Sequence, residues 1–334
     1  TVANEYIKIA LSYYPTSEQF LMKKVKVSLR QQDKLTASLT LRKILEINPG
    51  NKEALKMLNE AGGAKLNNHI TLSHVVDVFD KLNKPQQFSS LEYGKSFRFA
   101  SINLRANYAD KFNNGGWQGE MDAYVNFVKG TYAYLNGGYS PVSLFPDYKF
   151  GGDIYQKLFS GFEMSVGGRY LHFPSGDSVY IFKKNSVNPD VNDVIKVKKS
   201  EGTIIYTGYI GNYFRNYWFS LKVYYTPSSL LKDASNHSYT KPSGSTYILG
   251  VRYYFGDADN YLGVRAGSGQ SPDEKTASSI DPSTLKTYYG GIELQRAALG
   301  RWLVKGDIGY AKEERAPEEF LQRITLNISL KNIF

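Results

Sequence analysis

Arg323-Ile324-Thr325-Leu326-Asn327-Ile328-Ser329-Leu330 closes the chain, followed by Lys331-Asn332-Ile333-Phe334. Up to Leu330 the even positions are apolar and the odd ones polar, and the last residue of the chain is aromatic. Period-two alternation sets one face of a strand against an apolar medium and the other against a polar one. The pattern recurs from about residue 69 onward, without the continuous apolar runs of a sheet buried on both faces. The chain therefore reads as mainly β: a closed antiparallel transmembrane β-barrel. A soluble β-sandwich or propeller, the alternative, needs neither a terminal Phe nor loops that alternate in length.

Composition agrees with this reading. Mean hydropathy is −0.40 and hydrophobic content 42%, which resembles a soluble protein. A barrel hides its membrane character, because only every second strand residue faces lipid. No run of about 18 apolar residues occurs, so no transmembrane helix is expected. The 27 tyrosines and 18 phenylalanines suit membrane–water interfaces, and the 30 glycines suit bends and tight turns. Cysteine is absent, which excludes disulfides, thiol nucleophiles and thiolate metal sites. The opening Thr1-Val2-Ala3 lacks a basic and an apolar signal region, as expected of a mature chain after export. The net charge is +10, with lysines at Lys23, Lys24 and Lys26 and again at Lys183, Lys184, Lys196, Lys198 and Lys199. No nucleic-acid motif accompanies them. Solvated surface charge, or contact with lipopolysaccharide phosphates or an acidic polymer, accounts for the excess.

Residues 1–62 read as helices and 63–334 as the barrel. Phe20, Leu21, Val25 and Leu29 recur at helical spacing after a candidate N-cap at Thr16 or Ser17, and Leu39, Leu41, Ile44 and Leu45 give a second apolar face. Asn48-Pro49-Gly50-Asn51 stops one helix and starts another. The run from Leu45 to Leu55 looks like a junction between two tetratricopeptide repeats. Fewer than two units are present, so the apolar face needs cover from the barrel rim, further repeats or a partner. Gly62-Gly63 is the expected hinge.

Alternation gives about fourteen strands, with twelve as the fallback count, each near the length that crosses a bilayer with tilt. Short connections are expected near Arg98, Lys129-Gly130, Phe159-Ser160, Arg215-Asn216, Asp257-Ala258-Asp259 and Ala297-Ala298. Long ones are expected near 110–116, 141–147, 173–202, 227–244, 269–284 and 312–320. Short turns belong to the periplasmic side and long loops to the outside. An even strand number then makes both termini periplasmic, in the outer membrane of a Gram-negative bacterium.

Several blocks carry a resemblance: Ser90-Leu91-Glu92-Tyr93-Gly94, Ala106-Asn107-Tyr108-Ala109, Gly130 to Leu135 with Gly138-Tyr139-Ser140, Ser143-Leu144-Phe145-Pro146, Asn216 to Ser220, and Tyr254 to Tyr261. In this order they resemble the YaiO family of outer-membrane β-barrels, some of whose members carry tetratricopeptide repeats ahead of the barrel. The resemblance covers about residues 65–334. It implies location and fold and transfers no catalytic residue. The insert at about 174–202 is longer than the family's usual loop.

Alternation also sorts the faces. Tyr108, Trp117, Phe127, Tyr288, Trp302, Tyr310, Ile328 and Phe334 are expected outward, as a membrane girdle. Glu92, Arg105, Glu120, Asp122, Lys149, Asp153, Glu163 and Arg169 are expected inward from the first half. Lys222, Arg252, Arg265, Glu293, Lys305, Asp307 and Arg323 are expected inward from the second. The first set leans acidic and the second basic. Either the two walls meet as ion pairs that fill the interior, or they stop short and leave a field across a water-filled passage. Tyr124, Tyr132, Tyr134, Tyr224 and Tyr289 face the lumen, to stack on sugar rings or to fill space.

Enzymatic signals are thin. His69, His74, His172 and His237 show no metal spacing. His172 with Ser175 and Asp177 is a weak hydrolase constellation. Asp190, Asn192 and Asp193 read as calcium ligands or as plain turn formers. No cofactor and no nucleic acid is expected, and the chain reads as no enzyme. The leading expectation is passage or secretion of a polar substrate, a saccharide, across the outer membrane. The rival is a non-conducting structural or assembly subunit that docks envelope proteins through its helices and loops. Expected partners are outer-membrane lipid and lipopolysaccharide, the outer-membrane insertion machinery reading Phe334, and a periplasmic or membrane protein bound by residues 1–62.

Overall fold

The computed structural model describes residues 2–334 apart from 49, 61–66, 83, 112–113, 143, 174–177, 185–191, 199–201, 234–237, 242, 256–257, 270–285, 299–301 and 317–318. Four helices come first: α1 (Val2–Tyr13), α2 (Glu18–Arg30), α3 (Lys34–Ile47) and α4 (Lys52–Glu60). Asp33 caps α3 by accepting from the Thr36 N–H at 3.0 Å, and Asn51 does the same for the Ala54 N–H at the start of α4. Ser17 occupies the N-cap of α2 without a side-chain bond. Asn48 and Asn51 both donate to the Glu18 carboxylate, which ties the turn between α3 and α4 to the start of α2.

The helices cover their own apolar face, contrary to the expectation from their length. Leu11, Leu21, Val25, Leu41, Ile44 and Ala54 are each at most 1% exposed and form one core with Phe20 packed against it. α1, which the reading of the sequence did not separate, supplies Ile7 and Leu11 to that core.

The rest is a closed barrel of fourteen antiparallel strands. In chain order they are β1 (Asn68–Phe79), β2 (Gln86–Ser96), β3 (Ala100–Lys111), β4 (Asn114–Val128), β5 (Thr131–Tyr139), β6 (Tyr148–Lys157), β7 (Phe162–His172), β10 (Gly202–Phe214), β11 (Tyr217–Thr226), β14 (Gly244–Tyr254), β15 (Tyr261–Gly269), β16 (Thr287–Ala298), β17 (Trp302–Ala316) and β18 (Glu319–Ile333). The remaining strands, β8 (Ser178–Lys184), β9 (Asn192–Lys198), β12 (Ser229–Asp233) and β13 (Ser238–Lys241), form a separate four-stranded sheet. Each barrel strand pairs with its sequence neighbours, and β18 returns to β1 from Arg323↔Phe79 to Ile333↔His69. Closure removes the unpaired edges that a membrane does not tolerate.

Both barrel termini lie at one end, together with the turns at Arg98, Gly130, Ser160 and Arg215. Ser160 and Arg215 have φ of 53° and 55°, and Gly130 of 87°, as tight turns require. Connections at the opposite, loop end differ from expectation in three ways. The stretch 110–116 is no long loop, because Gly115 and Gly116 continue β4 and the ladder runs on to Lys111↔Asn114. Of the stretch 312–320, residues 312–316 and 319–320 likewise belong to strands, as Glu313↔Leu321 and Glu314↔Phe320 pair. The connections 173–202 and 227–244 hold the β8–β9 and β12–β13 hairpins, joined at Lys232↔Lys198.

On β18, Ile324, Leu326 and Ile328 point outward and are 46–54% exposed, while Arg323, Thr325, Asn327 and Ser329 point inward. Outward aromatics gather at both ends: Tyr108, Trp117, Tyr139, Tyr288 and Tyr310 toward the loop end, Phe97, Phe127, Phe159, Trp302 and Phe334 toward the terminal end.

Candidate functional site

The inner wall is stratified. At the loop end, Leu171, Phe173, Ile205, Tyr224 and Ile248 are buried together, with Tyr289 against them. Tyr224 and Tyr289 therefore belong to an apolar cluster. The β5–β6 connection turns to the inner side, where Val142 and Leu144 lie over Gly116 and Phe145 is fully buried.

The middle layer is charged, and its ion pairs run along the wall. Arg105 on β3 donates to Glu92 on β2 and to Glu120 on β4, each at 2.7 Å, and to Asp122 on β4 at 2.5 Å. Glu120 also takes Lys149 of β6, and Glu92 meets His69 of β1 at 3.2 Å. Tyr134 and Asn136 of β5 donate to the second oxygen of Asp122. Asp153 receives Arg169 and Thr207. In the other half, Glu293 holds Arg252 and Lys305, both at 2.6 Å. Asp307 holds Arg265 at 2.7 Å, and Arg323 meets Glu313 at 3.0 Å and Asp77 at 3.7 Å. Lys222 faces inward on β11 without an ion pair among the described residues.

Every pair described here joins strands that are adjacent or one apart. Among the described residues the acidic and basic walls do not meet across the lumen; most of their charges are paired in place, with Lys222 an exception. Register decides this, since Glu92↔Arg105 and Arg105↔Glu120 are direct cross-strand neighbours.

Inward glycines make the longer pairs possible. Gly263 lies between Arg252 and Glu293 in one cross-strand row, and a Cβ there would come within 2.7 Å of the Glu293 Cγ. Gly138 lies in the same way between Glu120 and Lys149. Part of the glycine content therefore clears room on the wall, beyond serving bends and turns.

The terminal end carries an aromatic arc. Tyr132 and Tyr155 stack with centroids 4.7 Å apart and planes 4° apart. Tyr124 joins them on one side at 6.5 Å and Tyr209 on the other at 5.9 Å. Trp218 donates to the Tyr209 hydroxyl at 3.3 Å. Tyr213, Tyr254 and Tyr261 extend the chain of rings to β15. Tyr132 and Tyr209 both hydrogen-bond Glu163. Arg252 lies 4.7 Å from the Trp218 ring and 4.5 Å from that of Tyr261. Tyr124, Tyr132 and Tyr134 were legible as inward tyrosines. Tyr155, Tyr209, Tyr213, Trp218, Tyr254 and Tyr261 were missed, although they occupy the inward parity of their strands.

α3 sits at this end of the barrel. Lys43 pairs with Asp259 of the β14–β15 turn at 2.6 Å, and Arg42 donates to Asn67 just ahead of β1 at 3.0 Å. Lys157, at the end of β6, reaches the Ile47 carbonyl at 3.4 Å. Desolvation lowers the Arg42 guanidinium to about 10 and leaves it cationic at neutral pH. Glu46 keeps accessible surface, yet desolvation raises its carboxyl, with Asp259 acting the same way and Lys331, Lys43 and Arg42 opposing.

Of the remaining candidates, His172 sits at the loop-end rim, stacked on Tyr148 at 4.2 Å and 3.6 Å from Asp147. Ser175, Asp177 and Asp190 lie outside the described residues, and Asn192 and Asp193 open β9. A concavity of about 1030 Å3 lies mainly on the outer face, where Ala106, Gly119 and Gly137 leave room between Leu91, Tyr93, Met121 and Phe150.

Residues 67–185 and 194–274 match the family model described as the YaiO membrane beta barrel domain. No curated protein matches the chain. Among solved structures, the CymD monoaromatic hydrocarbon channel aligns with a TM-score of 0.54 at 12% identity, covering 87% of this chain and 92% of that one. The Pseudomonas putida toluene transporter TodX aligns at 0.47 and 10% identity, over 79% and 88%. An anion-selective porin from Comamonas acidovorans gives 0.42 and 9%, over 80% and 98%. At 12% identity the likeness to CymD is one of fold alone. The family match spans more than half the chain, and its blocks are those that carried the resemblance: the protein belongs to the YaiO family of membrane β-barrels.

Proposed function

We propose that this barrel is a passage for a polar solute, a saccharide, across the outer membrane, and that it is not an enzyme. The observation that carries the reading is the inner wall: its ion pairs run laterally, so none of the described pairs ties opposite walls together across the centre. Such a wall offers polar surface along its length. The apolar cluster at the loop end favours the second reading, a non-conducting assembly subunit. The hydrocarbon named for CymD does not suit a wall of ion pairs.

In this account the terminal end, with the helices, faces the periplasm and the long hairpins face outward. The helices are a tetratricopeptide-like unit, and the surface they turn away from the barrel binds a periplasmic or membrane partner. Planar-bilayer recording of the full chain tests the passage. A conducting barrel is expected, and Glu120→Gln or Asp122→Asn should shift its selectivity toward anions by unmasking Arg105 and Lys149. A barrel that never conducts, with or without its helices, supports the assembly reading.

Phe334 closes the seam, exchanging backbone hydrogen bonds with Asn68 at 2.9 and 3.0 Å. Deleting it removes about 1 kcal/mol per bond at most from the folded barrel. As the residue read by the insertion machinery, its loss should cut the inserted amount in cells far more than it lowers the unfolding temperature of purified protein. Unchanged insertion would remove that role.

A further inference from the structure

We infer that Lys222, at the end of a row of inward tyrosines, makes that row a binding site for acidic saccharides, which rests on the passage reading and narrows its substrate. Cross-strand register builds the row. Tyr132, Tyr155, Ser165, Tyr209 and Lys222 are successive ladder partners on β5, β6, β7, β10 and β11. The Tyr132 and Tyr155 rings stack, and Tyr209 tilts against Tyr155 across the small Ser165. The Tyr209 phenol lies over Gly211, where a Cβ would collide with it. Past Lys222 the row changes character, because the next partner, Ile248, belongs to the apolar cluster. Space filling there calls for an aliphatic chain, and a lysine stands in its place.

Charge selects the class. Glu163 is bonded by Tyr132 and Tyr209. The Lys157 amino group lies 5.9 Å from the centre of the Tyr132 ring and reaches the Ile47 carbonyl. Lys157 and Glu163 are ladder partners, so their charges offset each other and Lys222 leaves the row positive. Lys222 keeps accessible surface and has no ion pair among the described residues. Its neighbours are Tyr209 and Ile248 across the ladder and Ser220 and Tyr224 along β11, none of them a carboxylate. An ammonium held in this way draws a carboxylate from the passage. Neighbouring strands lie about 4.8 Å apart. A pyranose resting on the Tyr209 ring therefore brings its carboxylate within reach of the flexible Lys222 stem, while the ring takes the apolar face of the sugar.

The test is calorimetric titration of the full chain in detergent with a linear hexauronate, a neutral hexasaccharide and hexaglutamate. Saturable binding of the hexauronate is expected, with both others weaker: one lacks the carboxylates and the other the pyranose rings. Lys222→Met should weaken the hexauronate about tenfold, the size of one hydrogen bond to a charged group, and leave the neutral sugar unchanged. Lys222 holds no other side chain, so the variant does not threaten folding. Absent hexauronate binding, equal or tighter binding of the neutral sugar or of hexaglutamate, or equal hexauronate affinity in Lys222→Met overturns the site. Conductance separates the two claims. A conducting barrel that binds no hexauronate leaves the passage standing without the site, and a silent barrel that binds it does the reverse.

Discussion

Removing residues 1–60 should raise the conductance of a barrel whose mouth they cover. The cover is specific. Lys43–Asp259, Arg42–Asn67 and Lys157 to the Ile47 carbonyl attach one helix, α3, to a turn, to the entry of β1 and to the end of β6. These points lie on different parts of the rim, because β6, β14 and β1 are well separated in the strand order. A helix tied to all of them lies over the opening. The helices carry their own core, separate from the apolar cluster described in the barrel. The truncated barrel should insert and keep its heat-modifiable migration, while its mean conductance rises several-fold over the full chain. The ion pair is partly exposed, so high salt should move the full chain in the same direction. If the truncated barrel fails to fold, the helices are structural; if it folds with unchanged conductance, they do not cover the passage.

Arg105→Met should be the most damaging single substitution in the wall. It leaves Glu92, Glu120 and Asp122 without the guanidinium that holds all three. Glu120 and Asp122 side chains are 6% and 5% exposed, and Lys149 and His69 compensate only Glu120 and Glu92. Breaking a buried pair by deleting one partner costs on the order of 3–5 kcal/mol. Arg105→Met should therefore lower the temperature at which the folded band disappears on a gel, and Asp122→Asn added to it should recover part of the loss. A double variant no better than Arg105→Met would show that Asp122 is satisfied by Tyr134 and Asn136 alone.

The strands were legible because alternation is a direct record of two media. Fourteen strands were expected and fourteen close the barrel. Strand extension beyond the bilayer was not legible. Asn114-Gly115-Gly116 and Lys312-Glu313-Glu314 have loop composition, but a ladder between two paired strands continues wherever the backbones stay in register. The inward charges could be named singly, yet their partners could not. Partner choice depends on cross-strand register, which turn geometry sets. Nor did the sequence reveal that Gly138 and Gly263 open space for a pair on the flanking strands, because a glycine in a strand reads first as a bend. The aromatic arc was half visible: Tyr124, Tyr132 and Tyr134 stood out as a cluster, while Tyr209, Trp218 and Tyr254 were scattered in the chain and meet only when the barrel closes.

The most direct test of the passage is entry of a labelled hexasaccharide into vesicles carrying the barrel without residues 1–60. The account predicts entry well above that of protein-free vesicles. Entry no faster than through protein-free vesicles, from a barrel shown on the gel to be folded, would contradict it.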